Sequence, residues 1–169
     1  MLPFGACIVL FLAVFFPWTC FASPYGRPVE EELVDAPVIL VGKVNYLMGK
    51  NCLSGHVEFV VKGEAATDFL FCALDEYALE VHMVNIRMAY DRNKDGLMVF
   101  FMKKAGTAYA PAFHADSIAF FTDKKCIIFP GVFDEKKRKY ILEPSQIFLK
   151  RFNFNAPSNV KSDSNCDDW

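Results

Sequence analysis

Short segments rich in β-branched and aromatic residues recur along most of this chain, and turn-forming residues separate them. The segments lie at residues 38–47, 56–62, 68–74, 79–90, 97–102, 117–122, 126–129 and 138–142. Asp95-Gly96 is the strongest of the turn signals between them, because this dipeptide adopts positive φ readily. Eight short strands with no ten-residue helical pattern between them are typical of an up-and-down antiparallel barrel or a sandwich. The pattern predicts an all-β fold.

The beginning of the chain has the form of a signal peptide. Residues 1–22 contain no charged side chain, carry an apolar run at 6–16 and end on the small residue Ala22. The run is too short to cross about 30 Å of hydrocarbon comfortably, and Pro17 interrupts its end. We therefore expect a secreted, extracellular protein in which residues 23–169 form a single domain.

The cysteine content fits that compartment. Of six cysteines, two lie in the predicted leader, which leaves Cys52, Cys72, Cys126 and Cys166. An even number in an oxidising environment predicts two disulfides, and three pairings are open. The spacing contains no C-x-x-C and no nearby histidine pair, so a structural zinc site is not expected.

Charge and motifs limit the classes of function. Eighteen basic and 20 acidic residues give a formal net charge of −2, so nothing favours nucleic acid or an anionic membrane as a partner. The three histidines His56, His82 and His114 are far apart in sequence, and no nucleophile, metal or phosphate-loop motif accompanies them. We expect a binding protein without a cofactor, monomeric and not an enzyme.

The segment 79–90 suggests where a ligand would lie if the barrel were hollow. Read as a strand, it places His82, Ile86 and Tyr90 on one large, mostly apolar face that could line a cavity. Arg87 falls on the opposite face, where it suits solvent or an anionic ligand head group. The 18 phenylalanines of the chain serve equally well as pocket walls or as a filled core, so both interpretations stay open.

One segment carries a resemblance to a known family. Residues 116–126 read Asp-Ser-Ile-Ala-Phe-Phe-Thr-Asp-Lys-Lys-Cys, a strand followed by a short aspartate-bearing turn and a half-cystine. This resembles the tick salivary lipocalins of the histamine-binding-protein family. The similarity extends loosely over residues 38–52, 57–74 and 131–143.

The resemblance implies an eight-stranded, lipocalin-like up-and-down barrel with a short C-terminal helix, which the residues from Ser145 onward could form. It implies secretion in saliva and sequestration of host mediators such as histamine, serotonin or leukotrienes. By the same analogy Cys52 pairs with Cys166, and this leaves Cys72 to pair with Cys126.

Departures from the family pattern change the expected ligand. The amine-binding members carry acidic residues where this chain has Ile127 and Ile141. A cationic amine in a pocket of low dielectric constant needs buried carboxylates, so histamine and serotonin should bind weakly. Asp116 is the one candidate ligand carboxylate that keeps its place. An apolar or amphipathic lipid mediator fits better.

Three functional hypotheses follow. The first is a secreted lipocalin-like carrier that sequesters a small amine or lipid mediator inside the barrel. The alternative is a secreted interaction protein or inhibitor, of netrin-like or similar barrel type, that acts on a host protein through its surface. A filled barrel with a structural role is a third reading. Whether the barrel interior is open or packed discriminates the first hypothesis from the other two.

Overall fold

The structure, a computed structural model, describes residues 33–48, 52–72, 76–92, 95–113, 117–134, 139–162 and 166. The predicted signal peptide lies outside these residues. Eight strands are present in this part of the chain: β1 (Val38–Met48), β2 (Cys52–Lys62), β3 (Asp68–Cys72), β4 (Met98–Ala105), β5 (Ala108–Pro111), β6 (Ile118–Phe121), β7 (Cys126–Asp134) and β8 (Lys139–Pro144). Two α-helices, α1 (Glu76–Arg92) and α2 (Ser145–Lys150), and a 3-10 turn at Ser158–Val160 complete the fold.

Five of the strands close into a barrel. They follow the order β1-β2-β3-β5-β4, and β4 pairs again with β1 to complete the ring. Neighbours are antiparallel except β3 and β5, which run parallel where Phe71 lies beside Tyr109. A five-stranded ring in this order is a Greek-key barrel of the OB-fold type. The β-barrel prediction is therefore confirmed, but only five strands close, and their order is not the up-and-down order expected.

The remaining strands extend the sheet away from the barrel. Strand β6 pairs with the same part of β4 that pairs with β1, on the opposite edge, and β7 and β8 follow in sequence. Helix α1 covers one face of this sheet, and α2 with the chain that follows it covers the other. Two hydrophobic clusters result, one on each face.

Helix α1 corrects the prediction of a strand at 79–90. Its buried residues His82, Asn85, Ile86 and Ala89 are spaced i, i+3, i+4, i+7, which is the spacing of one helical face. The helix also contains no glycine or proline, and it has two residues each of glutamate, alanine and methionine, which are good helix formers. Alternation of apolar residues over part of the segment produced the wrong period. The C-terminal helix predicted near Ser145 is confirmed as α2.

Large side chains occupy the barrel interior. Leu40, Phe71 and Phe100 are fully buried, as are Met98 and Met102 of β4, and they form one cluster with buried residues of α1. The ring of Phe100 meets that of Phe71 edge to face, with centroids 5.9 Å apart. Every strand of the barrel contributes to this cluster. The aromatic residues here serve as a core.

A glycine permits the closest packing between β2 and β3. Gly55 is buried and lies directly opposite Phe69, and a Cβ atom at this position would collide with the Phe69 ring. The ring therefore covers the glycine across the strand pair. A side chain here would have to displace both the ring and the neighbouring backbone carbonyl of Lys43.

We expect Gly55→Val to destabilise the protein by about 1–3 kcal/mol, because it overpacks the interface between β2 and β3. Urea unfolding monitored by circular dichroism measures the change. His56→Val introduces the same side chain at the exposed neighbouring position, where it removes only the exposed contact of His56 with Asp68 at 3.0 Å, and should cost less than about 1 kcal/mol. Equal losses in the two variants would contradict this explanation.

Candidate functional site

The structure distributes the predicted ligand residues over different environments. His82 and Ile86 are buried on α1, where the His82 ring meets Phe71 edge to face at 5.2 Å. Arg87 is exposed on the other side of the helix. The Tyr90 side chain and Asp116 lie outside the described residues. His82 and Ile86 thus come together within a packed core, and a ligand role for this set stays a prediction.

All four cysteines that follow residue 22 form disulfides, as predicted, but the predicted pairing is wrong. Cys52 bonds to Cys72, with Cα atoms 4.0 Å apart, and Cys126 bonds to Cys166, with Cα atoms 5.9 Å apart. The first pair follows from strand register, because Cys52 and Cys72 face each other in the β2–β3 hairpin. The second attaches the C-terminal chain to the start of β7. Two disulfides indicate that the protein matures in an oxidising environment.

The chain reverses direction after α2 and returns across the sheet. Asn153 takes a positive φ of 56°, a conformation that asparagine tolerates, and its N–H donates to the Lys150 carbonyl at 3.0 Å. The Phe154 N–H then donates to the Leu149 carbonyl at 3.2 Å. This helix end directs the segment 154–162, called here the tail, back over β2 and the start of β4.

Several contacts hold the tail in place. Val160 is fully buried, and its carbonyl accepts a hydrogen bond from the buried Ser145 hydroxyl. The Gln146 side chain binds the backbone of Ser162 twice: its amide donates to the Ser162 carbonyl at 3.3 Å, and its oxygen accepts from the Ser162 N–H at 2.9 Å. The disulfide between Cys126 and Cys166 fixes the chain just beyond this point. These bonds hold the tail against the sheet, where it forms a wall.

A cleft of about 280 Å³ lies between this wall and the sheet. Its lining comes from β1 and β2, from the loop that enters β4, and from the 3-10 turn of the tail. The lining residues, called here the tail cleft, are Lys43, Glu58, Phe59, Asp95, Leu97, Asn159 and Val160. We take this cleft as the candidate functional site because charged, polar and aromatic groups converge in it.

Charges of alternating sign surround the cleft. Lys43 lies 3.4 Å from Glu58, and Lys125, in the β6–β7 turn, lies 3.0 Å from Asp95. The hydrogen bond and charge of Lys125 hold the pKa of the Asp95 carboxyl below its ordinary value; slight desolvation opposes this, and the charge of Lys43 adds to it. Asp95 is therefore ionised throughout the physiological range. Three of these four charged residues belong to the lining itself.

An irregularity in β2 positions the aromatic floor of the cleft. Val41 pairs with Phe59 while its neighbour Gly42 pairs with Val57, so Glu58 is an extra residue in the ladder. This β-bulge turns Phe59 out of the barrel and toward the tail, whereas Val57 faces the barrel core. The Phe59 ring then stacks on Phe154 of the tail, with centroids 5.0 Å apart and planes 12° apart.

The half-buried rings beside the cleft extend the surface. Phe152 and Phe154 follow α2 and pack against the cluster that contains Phe148, whose ring is 5.3 Å from that of Phe152. The tail cleft together with Phe152 and Phe154 is called here the tail face. None of its residues was predicted from sequence as a site. The acidic loop residue Asp95 and the isolated aromatics of the tail were the signals present, and neither is specific.

Within the described residues there is no group of three or more histidine, cysteine, aspartate or glutamate side chains that could hold a metal ion. None of the helices described is long and apolar enough to span a bilayer. Comparison of the chain with protein-family models, with curated proteins and with solved structures finds no match.

Replacing Lys125 by methionine should raise the pKa of Asp95 toward its ordinary value, because the hydrogen bond and the charge that lower it are both removed. In the wild type this pair favours folding at pH values above the ordinary carboxyl pKa of about 4, and the contribution is lost as the pH falls through the lower pKa of Asp95. An NMR titration of the aspartate carboxyl carbons measures the shift. Lys124→Met, at the exposed neighbouring position, should leave it unchanged.

Removing the second disulfide with Cys126→Ala and Cys166→Ala should release the tail. Loop-closure entropy predicts a loss of roughly 3–4 kcal/mol for a loop of this size. Amide hydrogen exchange should accelerate at Val160 and Ser162, which the disulfide and the Gln146 contacts hold. The matched control, Cys52→Ala with Cys72→Ala, removes a similar loop constraint but should affect β2 and β3 first. Equal acceleration at the tail amides in both variants would contradict the inference that the Cys126–Cys166 bond holds the tail.

Proposed function

We propose that this chain is a secreted protein that acts by binding another protein through the tail face, the second of the three hypotheses that the sequence suggests. One observation carries the proposal. The described barrel interior is packed with large, fully buried side chains, including Phe71 and Phe100, so the fold offers its binding groups on the outside. A barrel with a filled interior and a cleft fixed on its surface suits recognition of a macromolecule.

The composition of the tail face supports this proposal. Protein interfaces combine aromatic anchors near the centre with a polar and charged rim. On the tail face the rings of Phe59 and Phe154 are half-buried, and Phe59 lines the cleft together with the charged residues Lys43, Glu58 and Asp95. Hydrogen bonds and a disulfide hold these groups in place before any partner arrives, which lowers the entropy cost of binding.

Secretion is part of the proposal and rests on two separate features. The leader at residues 1–22 has the composition of a signal peptide. The two disulfides add that the mature chain resides where thiols are oxidised. A site that depends on Cys126–Cys166 for one wall requires such a compartment.

Sequestration of a small mediator by a lipocalin-like barrel stays a prediction. Its expected cavity face was assigned to a strand that is instead α1, and the buried side of that helix fills the core. No specific contact among the described residues favours an amine or a lipid inside the barrel. We therefore favour surface recognition, and binding of a dansylated fatty acid tests the carrier function.

The test is selection of ligands from a phage-displayed library of random peptides against the intact, oxidised protein. We expect the selected clones to bind the tail face, so that Asn159→Trp, which fills the cleft from an exposed position, abolishes their binding. Arg87→Trp places the same side chain at an exposed position on α1, the opposite side of the sheet, and should leave binding unchanged.

Three outcomes would contradict the proposal. The selected clones are insensitive to Asn159→Trp, or no clone is selected, or a dansylated fatty acid binds the protein with one-to-one stoichiometry. The last result would return the carrier hypothesis to first place. Thermal unfolding of both tryptophan variants controls for loss of structure.

A further inference from the structure

We infer that the Cys52–Cys72 disulfide is a thiol-exchange site, which an external thiolate opens while Cys126–Cys166 stays closed and the fold stays intact. The co-reactant is a thiol, supplied by a small molecule such as glutathione or by a protein cysteine. The inference goes beyond the proposed function, because it concerns the strand pair β2–β3 and not the tail face. Two features carry it: the contact of each disulfide with solvent, and the contacts that hold β2 against β3 once their bond is open.

Strand alternation places the Cys52–Cys72 bond on the outer surface of the barrel. Leu53 and Phe71, the neighbours of the two cysteines, are fully buried in the core cluster of the barrel. Successive side chains of a strand point to opposite faces, so the cysteines point outward, and both are partly exposed. The other outward residues of this strand pair are partly or fully exposed as well: Ser54, His56, Asp68 and Leu70. Solvent therefore reaches this face of the strand pair.

The second disulfide has the opposite environment. Cys126 is fully buried and Cys166 is only 5% exposed. The Ser162 hydroxyl, itself buried, lies 3.7 Å from the Cys126 sulfur and 3.9 Å from the Cys166 sulfur. A thiolate must reach a sulfur atom to start exchange, so access to the sulfur limits the rate. Exchange at Cys126–Cys166 therefore requires local opening of the tail, which costs free energy, whereas exchange at Cys52–Cys72 does not.

Strand pairing and core contacts hold β2 against β3 after the bond opens. Cys52 lies on the middle strand of three, because β2 pairs with β1 on one edge and with β3 on the other. Beside the disulfide, Leu53 pairs with Phe71, and both side chains belong to the barrel core. These contacts keep the two reduced thiols opposite each other, so the bond can form again. The exchange is therefore reversible within the folded protein.

The reaction consumes two equivalents of thiol. A thiolate attacks one of the two cysteine sulfur atoms, the S–S bond breaks, and the other sulfur leaves as a thiolate that takes up a proton. The product is a mixed disulfide between the chain and the thiol. A second thiolate attacks the sulfur of the first thiol, releases the second cysteine and joins the two thiols as a disulfide. Two electrons thus pass from the thiols to the Cys52–Cys72 bond.

Timed reduction of the intact oxidised protein in native buffer measures the two bonds separately. Dithiothreitol is the probe, N-ethylmaleimide traps the thiols that appear, and mass spectrometry of peptides locates them. We expect Cys52 and Cys72 to be labelled at least about tenfold faster than Cys126 and Cys166. The amides of Leu53 should stay protected from hydrogen exchange while the first bond reacts. Equal rates, earlier labelling of Cys126 and Cys166, or a single step that opens both bonds would overturn the inference.

Unfolding and single-bond variants separate the effect of burial from that of local sequence. In guanidinium chloride at a concentration that unfolds the chain, the two bonds should react at similar rates, because neither is protected. A rate ratio that persists in the unfolded chain would contradict the argument from burial. In the folded state, the bond left in Cys126→Ala with Cys166→Ala should react faster than the bond left in Cys52→Ala with Cys72→Ala. The reverse order would overturn the inference.

A charge placed beside the bond tests whether attack takes place at this surface. Ser54 points outward like Cys52 and lies two residues, roughly 7 Å, along the same strand. Ser54→Lys should accelerate exchange severalfold, because a positive charge stabilises the attacking and the leaving thiolate, and Ser54→Glu should slow it. Neither change should alter exchange at Cys126–Cys166. Equal rates at Cys52–Cys72 in the two Ser54 variants would refute attack at this face.

Two further thiols distinguish the source of the co-reactant. Reduced glutathione in excess and a Cys-x-x-Cys oxidoreductase each replace dithiothreitol in the same measurement. Selective opening of Cys52–Cys72 by either one supports the exchange site, and the faster of the two at equal thiolate concentration identifies the source. Failure of both to open the bond would overturn the inference.

Discussion

Residues 98–102 of β4 form backbone hydrogen bonds on both edges of the strand, and most of the fold depends on this arrangement. On one edge they pair with β1 and close the barrel; on the other, β6 and the end of β5 continue the sheet. Their side chains alternate, so Met98, Phe100 and Met102 fill the barrel while Val99 and Phe101 face the tail side. All five are fully buried. This one strand therefore contributes side chains to both hydrophobic clusters, and the surface site packs directly against the outside of the barrel.

The sequence determines its strands more clearly than their arrangement. Apolar runs such as 97–102 and 117–122 are buried on both faces and were recognisable as strands without any knowledge of the topology. Helix α1 was misassigned because His82, Ile86 and Tyr90 fit a period of two as well as they fit one of four. Strand β5 has four residues and ends in proline, so it carries no periodic signal of its own. The ring order depends on the single parallel contact between β3 and β5, which no local pattern encodes.

The cysteine pairing follows from the register of neighbouring strands, whereas the family resemblance implied a different pairing. Once β2 and β3 are placed as a hairpin, the register that sets His56 against Asp68 also sets Cys52 against Cys72. The pairing of Cys126 with Cys166 then follows. The tail cleft is different in kind, because its lining comes from residues as far apart as Lys43 and Val160. The position of its aromatic residue Phe59 further depends on a one-residue bulge at Glu58. A bulge reverses which residues of a strand face outward, and the hydrophobic pattern of the sequence does not show where it occurs.

The position of the second disulfide has a consequence for when the site can exist. The barrel strands are all complete by Pro111, but the wall that carries Asn159 and Val160 is synthesised some fifty residues later and is held by Cys166. Before Cys126 is oxidised, the strands can already pair while the cleft still lacks its covalent closure. The cleft therefore reaches its covalently closed form only after Cys166 has been synthesised, and only in an oxidising compartment. A reduced chain would carry the barrel scaffold with a tail that no covalent bond holds, so the redox state of the surroundings determines whether the cleft is covalently closed.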